Sequence, residues 1–253
     1  FAGLKAHSLD SSRVAELSKF VETAQKQLGV PGVSIDLIQD GKVVFAGGFG
    51  LRELGKPAPA DADTLYMIAS NTKAMTTLLL AKLVDEKKLT WDTPVTSLLP
   101  TFKLGNSETT RMVLVRPLIC ACTGLPRQDL EWLLQFEGVN PTGAMATQAT
   151  VQPTTKFGEM FQYSNLLAAA AGYVAGHVEH PDLEIGAAYD KAMQERVFDP
   201  LAMGATTFDY SRALAGNHAM PHAPDVDGKT AHAVMEVNYS IIPVRPAGAA
   251  WSS

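Results

Sequence analysis

The 253-residue chain sets 21 Lys+Arg against 26 Asp+Glu, for a formal net charge of −5, with 46% hydrophobic and 19% charged residues. This is ordinary for a globular fold of one large or two small domains, and such a chain buries roughly 70–75% of its unfolded surface without needing disulfides or metals. No basic run exceeds Lys87-Lys88, and the longest apolar stretch, residues 166–174, falls short of the ~20 residues a membrane helix needs, so nothing marks a nucleic-acid surface or a transmembrane segment.

Along the chain, residues 11–28 carry a helical period, with Val14, Leu17, Phe20, Val21, Ala24 and Leu28 on one face and Asp10-Ser11-Ser12 as the cap. Residues 33–38 and 43–49 then alternate around Asp40-Gly41, which predicts a β-hairpin. A loop over 57–62 leads to a second helix, rich in Leu, Ala and Met, over about 70–86. Residues 127–197 read as mainly helical, with breaks near 138–141 and 152–158. Beyond 204–207 the chain is an irregular, proline-containing tail, without internal repeats. Two strands alone make a marginal sheet. The hairpin is therefore expected to be completed by something later in the chain or outside it.

Cys120 and Cys122 lie in Cys-Ala-Cys. A bridge across one residue would be badly strained, so they read as two small buried hydrophobes rather than a redox or metal pair. The chain begins with Phe1 rather than Met, which reads as processed or trimmed and suggests a periplasmic or secreted location.

One segment carries candidate chemistry. Ser70 and Lys73 are three apart on the second predicted helix, so they share a face. A serine hydroxyl is a weak nucleophile until a base takes its proton, and a lysine amine with a lowered pKa can be that base. A serine in the first turn of a helix also lies where backbone N–H groups and the helix dipole favour developing negative charge. The spacing alone is weak evidence. With 13 Ser and 13 Lys, chance yields about 0.7 such pairs, and a solvated helix start is the ordinary reading. The second candidate is Tyr163-Ser164-Asn165, just before the alanine-rich helix, where a phenol beside the lysine could relay protons.

Ser70-x-x-Lys73 followed by Tyr163-x-Asn165 resembles the penicillin-recognising serine hydrolases: class C β-lactamases, DD-peptidases, and related esterases and D-aminopeptidases. Further segments share the likeness: Leu65-Tyr66-Met67-Ile68-Ala69-Ser70, Lys88-Leu89-Thr90-Trp91-Asp92-Thr93-Pro94-Val95, Thr123-Gly124-Leu125-Pro126, Pro200-Leu201-Ala202-Met203-Gly204-Ala205-Thr206, and Pro246-Ala247-Gly248-Ala249-Ala250-Trp251-Ser252-Ser253. The resemblance implies an α/β, β-lactamase/transpeptidase-like fold, an antiparallel sheet flanked by helices with a mainly helical subdomain. Residues 1–253 would form the N-terminal part of one catalytic domain: early strands at about 30–60, the nucleophile helix and helical subdomain at about 70–200, and a loop-rich segment at 201–253.

The resemblance also implies roles. Ser70 is the nucleophile, Lys73 its activating base, Tyr163 the proton shuttle, and Asn165 an amide that supports the lysine and contacts substrate. The Ser70 backbone N–H would be one oxyanion donor. The family's third motif, Lys-Thr-Gly or His-x-Gly on a late strand, has no copy here. Lys229-Thr230 is followed by Ala231, Lys103-Leu104-Gly105 precedes the tyrosine, and His218, His222 and His232 lack the glycine. The late strands and C-terminal helix are likewise expected beyond Ser253, supplied by a second polypeptide that stays docked.

The resulting expectation is an acyl-serine hydrolase acting on an ester or a peptide/amide, as an esterase or a D-amino-acid-type peptidase. A β-lactamase is the alternative, and a catalytically silent penicillin-binding-like protein is the alternative of another class. A cysteine nucleophile at Cys122 lacks a base in reach. No metal or organic cofactor is implied. The pocket rim is expected from residues 122–132, with Phe136 beyond, and from residues 217–229. There Arg127, Asp129 and Glu131 either read a charged substrate or are simply solvated.

Overall fold

The computed structural model describes residues 8–134 and 139–253. In chain order it contains α1 (Ser11–Gln27), β1 (Gly32–Gln39), β2 (Lys42–Gly50) and β3 (Tyr66–Met67), followed by a 3-10 turn at Ala69–Asn71. Next come α2 (Thr72–Asp85), α3 (Val95–Leu98), α4 (Ser107–Met112), α5 (Val115–Cys120), α6 (Leu130–Leu133) and α7 (Pro141–Gln148). The chain continues through α8 (Asn165–Glu179), α9 (Ile185–Met193) with a π-helical turn at Gln194–Phe198, and α10 (Tyr210–Leu214). It ends with β4 (His222–Pro224), β5 (Thr230–His232), the 3-10 segment Met235–Ala247 and β6 (Trp251–Ser252). This is the mixed α/β composition expected. The contacts divide it into two units, residues 1–66, 209–235 and 252–253, and residues 67–208 and 236–251.

The first unit is built on the predicted hairpin. β1 and β2 pair antiparallel from Gly32↔Gly50 to Gln39↔Lys42, with an irregularity at Leu37/Ile38. Asp40 and Gly41 both take positive φ, 50° and 73°, the combination that matches a two-residue turn to the twist of the strands. Among the described residues this sheet holds only those two strands. Asp10 caps α1 by accepting from the Arg13 N–H, as expected. The apolar face of α1 is not covered: no residue of α1 is buried, and Phe20 stands 67% exposed. Residues 222–232, read as irregular, form a second antiparallel hairpin, His222↔His232 to Pro224↔Thr230. Three-residue strands beside prolines leave too short a pattern to read.

The second unit packs around α8. Its residues 165–176 are all buried, which an alanine-rich sequence permits because small side chains let neighbouring backbones approach on every side. At Gly176 the neighbour is main chain: a Cβ there would stand 2.5 Å from the Tyr189 backbone nitrogen on α9. Leu79, Leu80 and Leu83 of α2, Leu118 of α5 and Met193 of α9 belong to the same core cluster as Leu167 of α8. The predicted helix over 70–86 begins as a 3-10 turn that runs directly into α2. Ser70 sits in the 3-10 turn, and α2 proper begins at Thr72.

The close approach at Gly176 generates a test. Gly176→Val places carbon against backbone that has no rotamer to yield, and is expected to destabilise the fold by about 1–3 kcal/mol. Urea unfolding measures it, and an unchanged midpoint would contradict the packing described.

Candidate active site

Ser70, Lys73, Tyr163 and Asn165 all lie in the second unit and converge. The 3-10 turn opens at Ala69, whose φ of 47° is unusual for a residue with a Cβ, and presents Ser70 as an exposed side chain. Lys73 follows one turn later. The Lys73 Nζ lies 3.0 Å from Ser70 Oγ, 2.7 Å from Asn165 Oδ1 and 2.6 Å from the Ala247 carbonyl oxygen. Ser70 Oγ is also 2.7 Å from the Tyr163 hydroxyl. The sequence expectation thus places its four residues in one hydrogen-bonded set. The carbonyl of Ala247 was not foreseen, because a backbone oxygen carries no side-chain signature.

Each partner is fixed from behind. Ser164 caps α8 through the Leu167 N–H, which sets Tyr163 and Asn165 at the helix mouth. The loop before it is held by the turn at 121–124. The N–H of Gln162 donates to Ala121 O (2.8 Å), that of Gly158 to Cys122 O (2.9 Å) and that of Thr154 to Gly124 O (2.8 Å). Ala247 sits on a strap tied at three points. Tyr173 donates its hydroxyl to Pro243 O, Thr76 donates to Pro246 O (2.8 Å), and Arg245 pairs with Asp190. Since the single Thr76 proton goes to Pro246, the Tyr189 hydroxyl 2.7 Å away must be the donor to Thr76 Oγ1.

Burial lowers the pKa of Lys73 most strongly, and Arg127 lowers it further, against the raising influence of Tyr163 and Asp129. Burial alone would raise the Tyr163 phenol. The neighbouring Lys73 amine, the hydrogen bond with Ser70 and the charge of Arg127 outweigh it and leave the phenol below its ordinary value. Both groups are shifted toward exchanging a proton.

Two expectations are corrected. Cys120 and Cys122 are joined by a disulfide, and Cys120 is exposed rather than a buried hydrophobe. Ala121 supplies the reason. Its left-handed conformation (φ 50°, ψ 45°) folds the chain back and leaves the two Cα atoms 5.5 Å apart, within the normal range for a bridge. With Cys122 so engaged, it holds no free thiol.

The expected rim is recovered in part. A cavity of about 190 Å³ beside Ser70 is walled by Met67, Trp132, Leu133, Val237 and Ile241. Phe136 lies outside the described residues. Residues 217–229 belong to the first unit, where Asn217 accepts from Arg52 and donates to Asp61, and His222 accepts from the Leu54 N–H. Glu131 accepts from Gln128. A larger cavity of about 820 Å³, lined by Phe102, Met145 and Leu183 among others, contains no nucleophile–base pair, so chemistry rather than volume locates the site.

The strap carries its own pH dependence. Burial pushes Asp190 up to about 6, against the pull of Arg245 and with Glu184 adding to the rise. One oxygen, Oδ1, is buried without a partner. A carboxyl whose folded pKa lies above its unfolded value takes up a proton on folding, so this group favours the folded state most at low pH and the benefit is lost as pH rises through about 6. Asp190→Asn is expected to flatten the pH dependence of unfolding free energy between about pH 4 and 6, read by denaturant titrations across that window. An identical dependence in the variant would refute the assignment.

The Beta-lactamase family profile matches residues 17–253. Protein flp of Staphylococcus aureus (strain N315) is 28% identical over 217 residues, covering 85% of this chain and 42% of its own length. The Unguisins hydrolase ungD' of Aspergillus campestris is 28% identical over 211 residues, covering 78% and 37%. The octameric penicillin-binding protein homologue from Pyrococcus abyssi superposes with a TM-score of 0.80 at 26% identity, covering 95% of this chain and 53% of that one. The chain spans about two fifths of the length of these two curated relatives.

Proposed function

The chain belongs to the beta-lactamase family, and from that premise we propose that the protein is a serine hydrolase working through an acyl-enzyme at Ser70. The observation that carries this is the contact of Ser70 Oγ with both the Lys73 amine, at 3.0 Å, and the Tyr163 phenol, at 2.7 Å. A neutral Lys73 has two N–H bonds and one lone pair. Asn165 Oδ1 and Ala247 O take the two N–H bonds, so the lone pair faces the serine proton. Ser70 Oγ attacks the substrate carbonyl carbon while its proton passes to Lys73. The Ser70 backbone N–H is one donor for the oxyanion. As the tetrahedral centre collapses, Tyr163 gives its proton to the leaving alcohol or amine and recovers one from Lys73. A water, deprotonated by the same pair, then cleaves the acyl-serine and frees the acid.

The substrate is an ester or a peptide/amide, the activity being that of an esterase or D-amino-acid-type peptidase. The apolar walls of the cavity beside Ser70 support an uncharged acyl group there. One relative's name, hydrolase, is consistent with cleavage. A β-lactamase is the second reading, favoured by the family itself. The proposal extends to a second polypeptide that completes the sheet. Its support is a hairpin without further strands among the described residues. A periplasmic or secreted location belongs to the same reading, supported by the disulfide.

Intact-mass analysis of the native protein, with any chain that copurifies, after treatment with a fluorophosphonate is expected to show one adduct on Ser70, absent in Ser70→Ala. Lys73→Met is expected to slow labelling by about 10²–10⁴-fold, the range removed with a general base. Because Lys73 titrates below the ordinary amine range, the labelling rate should rise with pH to a plateau reached below that range. Steady turnover of benzylpenicillin would select the β-lactamase reading. Absence of adduct with either reagent would leave only a silent binding protein.

A further inference from the structure

Asp129 lies at the start of α6, a position where an aspartate ordinarily accepts from the first backbone N–H groups, yet its side chain makes no such bond. Its two oxygens go elsewhere. Oδ1 accepts from Asn165 Nδ2 at 3.0 Å, and Oδ2 pairs with Arg127 Nε. The carboxylate is only 11% exposed, so it is not the solvated loop charge that its sequence context suggested. The Arg127 guanidinium stacks over the Tyr163 ring, with its carbon 5.1 Å from the ring centre, while the Lys73 ammonium lies 4.8 Å from the same centre.

An amide side chain can turn over and exchange its oxygen for its nitrogen. A carboxylate only accepts. With Asp129 behind it, Asn165 must turn its NH₂ toward the carboxylate and its oxygen toward Lys73, where it accepts at 2.7 Å. Arg127 joins this arrangement to the phenol, so the pair reaches the Tyr163 ring directly and Lys73 through Asn165, without touching Ser70.

We propose that Asp129, braced by Arg127, is a positioning residue that locks the Asn165 amide in the orientation Lys73 requires and sets the electrostatic balance between Lys73 and Tyr163. This rests on the acyl-serine reading above. The charged and titratable groups that face Lys73 are Tyr163, Asp129 and Arg127, and of these Asp129 alone is an anion that holds the amine's proton. Removing its charge lowers the Lys73 pKa further.

The test is the pH profile of fluorophosphonate labelling of the native protein for wild type, Asp129→Ala and Asp129→Asn, beside their thermal unfolding. Asp129→Ala loses both acceptor and charge. It is expected to label about 10- to 100-fold more slowly, the scale of a misplaced catalytic group, with the acid limb moved to lower pH. Asp129→Asn keeps an oxygen for Asn165 and loses the charge. It is expected to recover most of the rate while its acid limb stays moved. A merely structural aspartate would lower the unfolding temperature and leave the limb in place, which would overturn the proposal. So would an unchanged rate in Asp129→Ala. Should Asp129→Ala fail to fold, the limb of Asp129→Asn decides. A wild type that takes no label overturns the acyl-serine reading and this proposal together, whereas a labelled wild type with unmoved variants overturns this proposal alone.

Discussion

An amine has four bonding directions, and at Lys73 the carbon stem takes one. Two more are claimed by oxygens that cannot move away: the Asn165 amide, at the mouth of a buried helix, and the Ala247 carbonyl, on a strap tied by Tyr173, Thr76 and Arg245. The last direction points at Ser70. Much of the second unit can be understood as the apparatus that enforces this geometry. A flexible lysine on an open surface would spend its time elsewhere, because its side chain carries up to about 2 kcal/mol of rotamer entropy. Here two fixed acceptors and partial burial hold it in place, and the same burial lowers its pKa, so more of it is neutral, with a lone pair free to take a proton, than of a solvated amine.

The phenol is held by the opposite strategy. Tyr163 rides on a long loop, and loops ordinarily drift. This one is stitched by backbone hydrogen bonds to the turn at 121–124 and is followed at once by a capped helix. Arg127 and Lys73 both place positive charge near the ring. Ser70 and Lys73 thus come from one continuous helical stretch and Tyr163 from a separate, stitched loop.

The parts that could be read from the sequence are those written in neighbouring residues. Asp10 as a cap, Asp40-Gly41 as a turn, and Ser70 and Lys73 on one face all follow from spacing of four residues or fewer. Tyr163 and Asn165 gain meaning only beside the first pair, and it was the family resemblance that joined them. What stayed hidden was tertiary or backbone in nature. Ala247 acts through its carbonyl, which any residue would supply. Asp129 looks like a loop charge until the fold brings Asn165 against it. The Cys120–Cys122 bridge depends on the left-handed conformation of Ala121, which leaves no trace in composition. The helical period of α1 is plain in its residues, but periodicity reports which residues share a face, not what covers that face.

α8 is enclosed along most of its length, with backbone pressed against it where other helices would have side chains. An element sealed in this way cannot be remodelled gradually, since any enlargement meets main chain. Substitutions at the cavity walls beside Ser70, among them Trp132, Leu133, Val237 and Ile241, would instead reshape the mouth without adding bulk against α8.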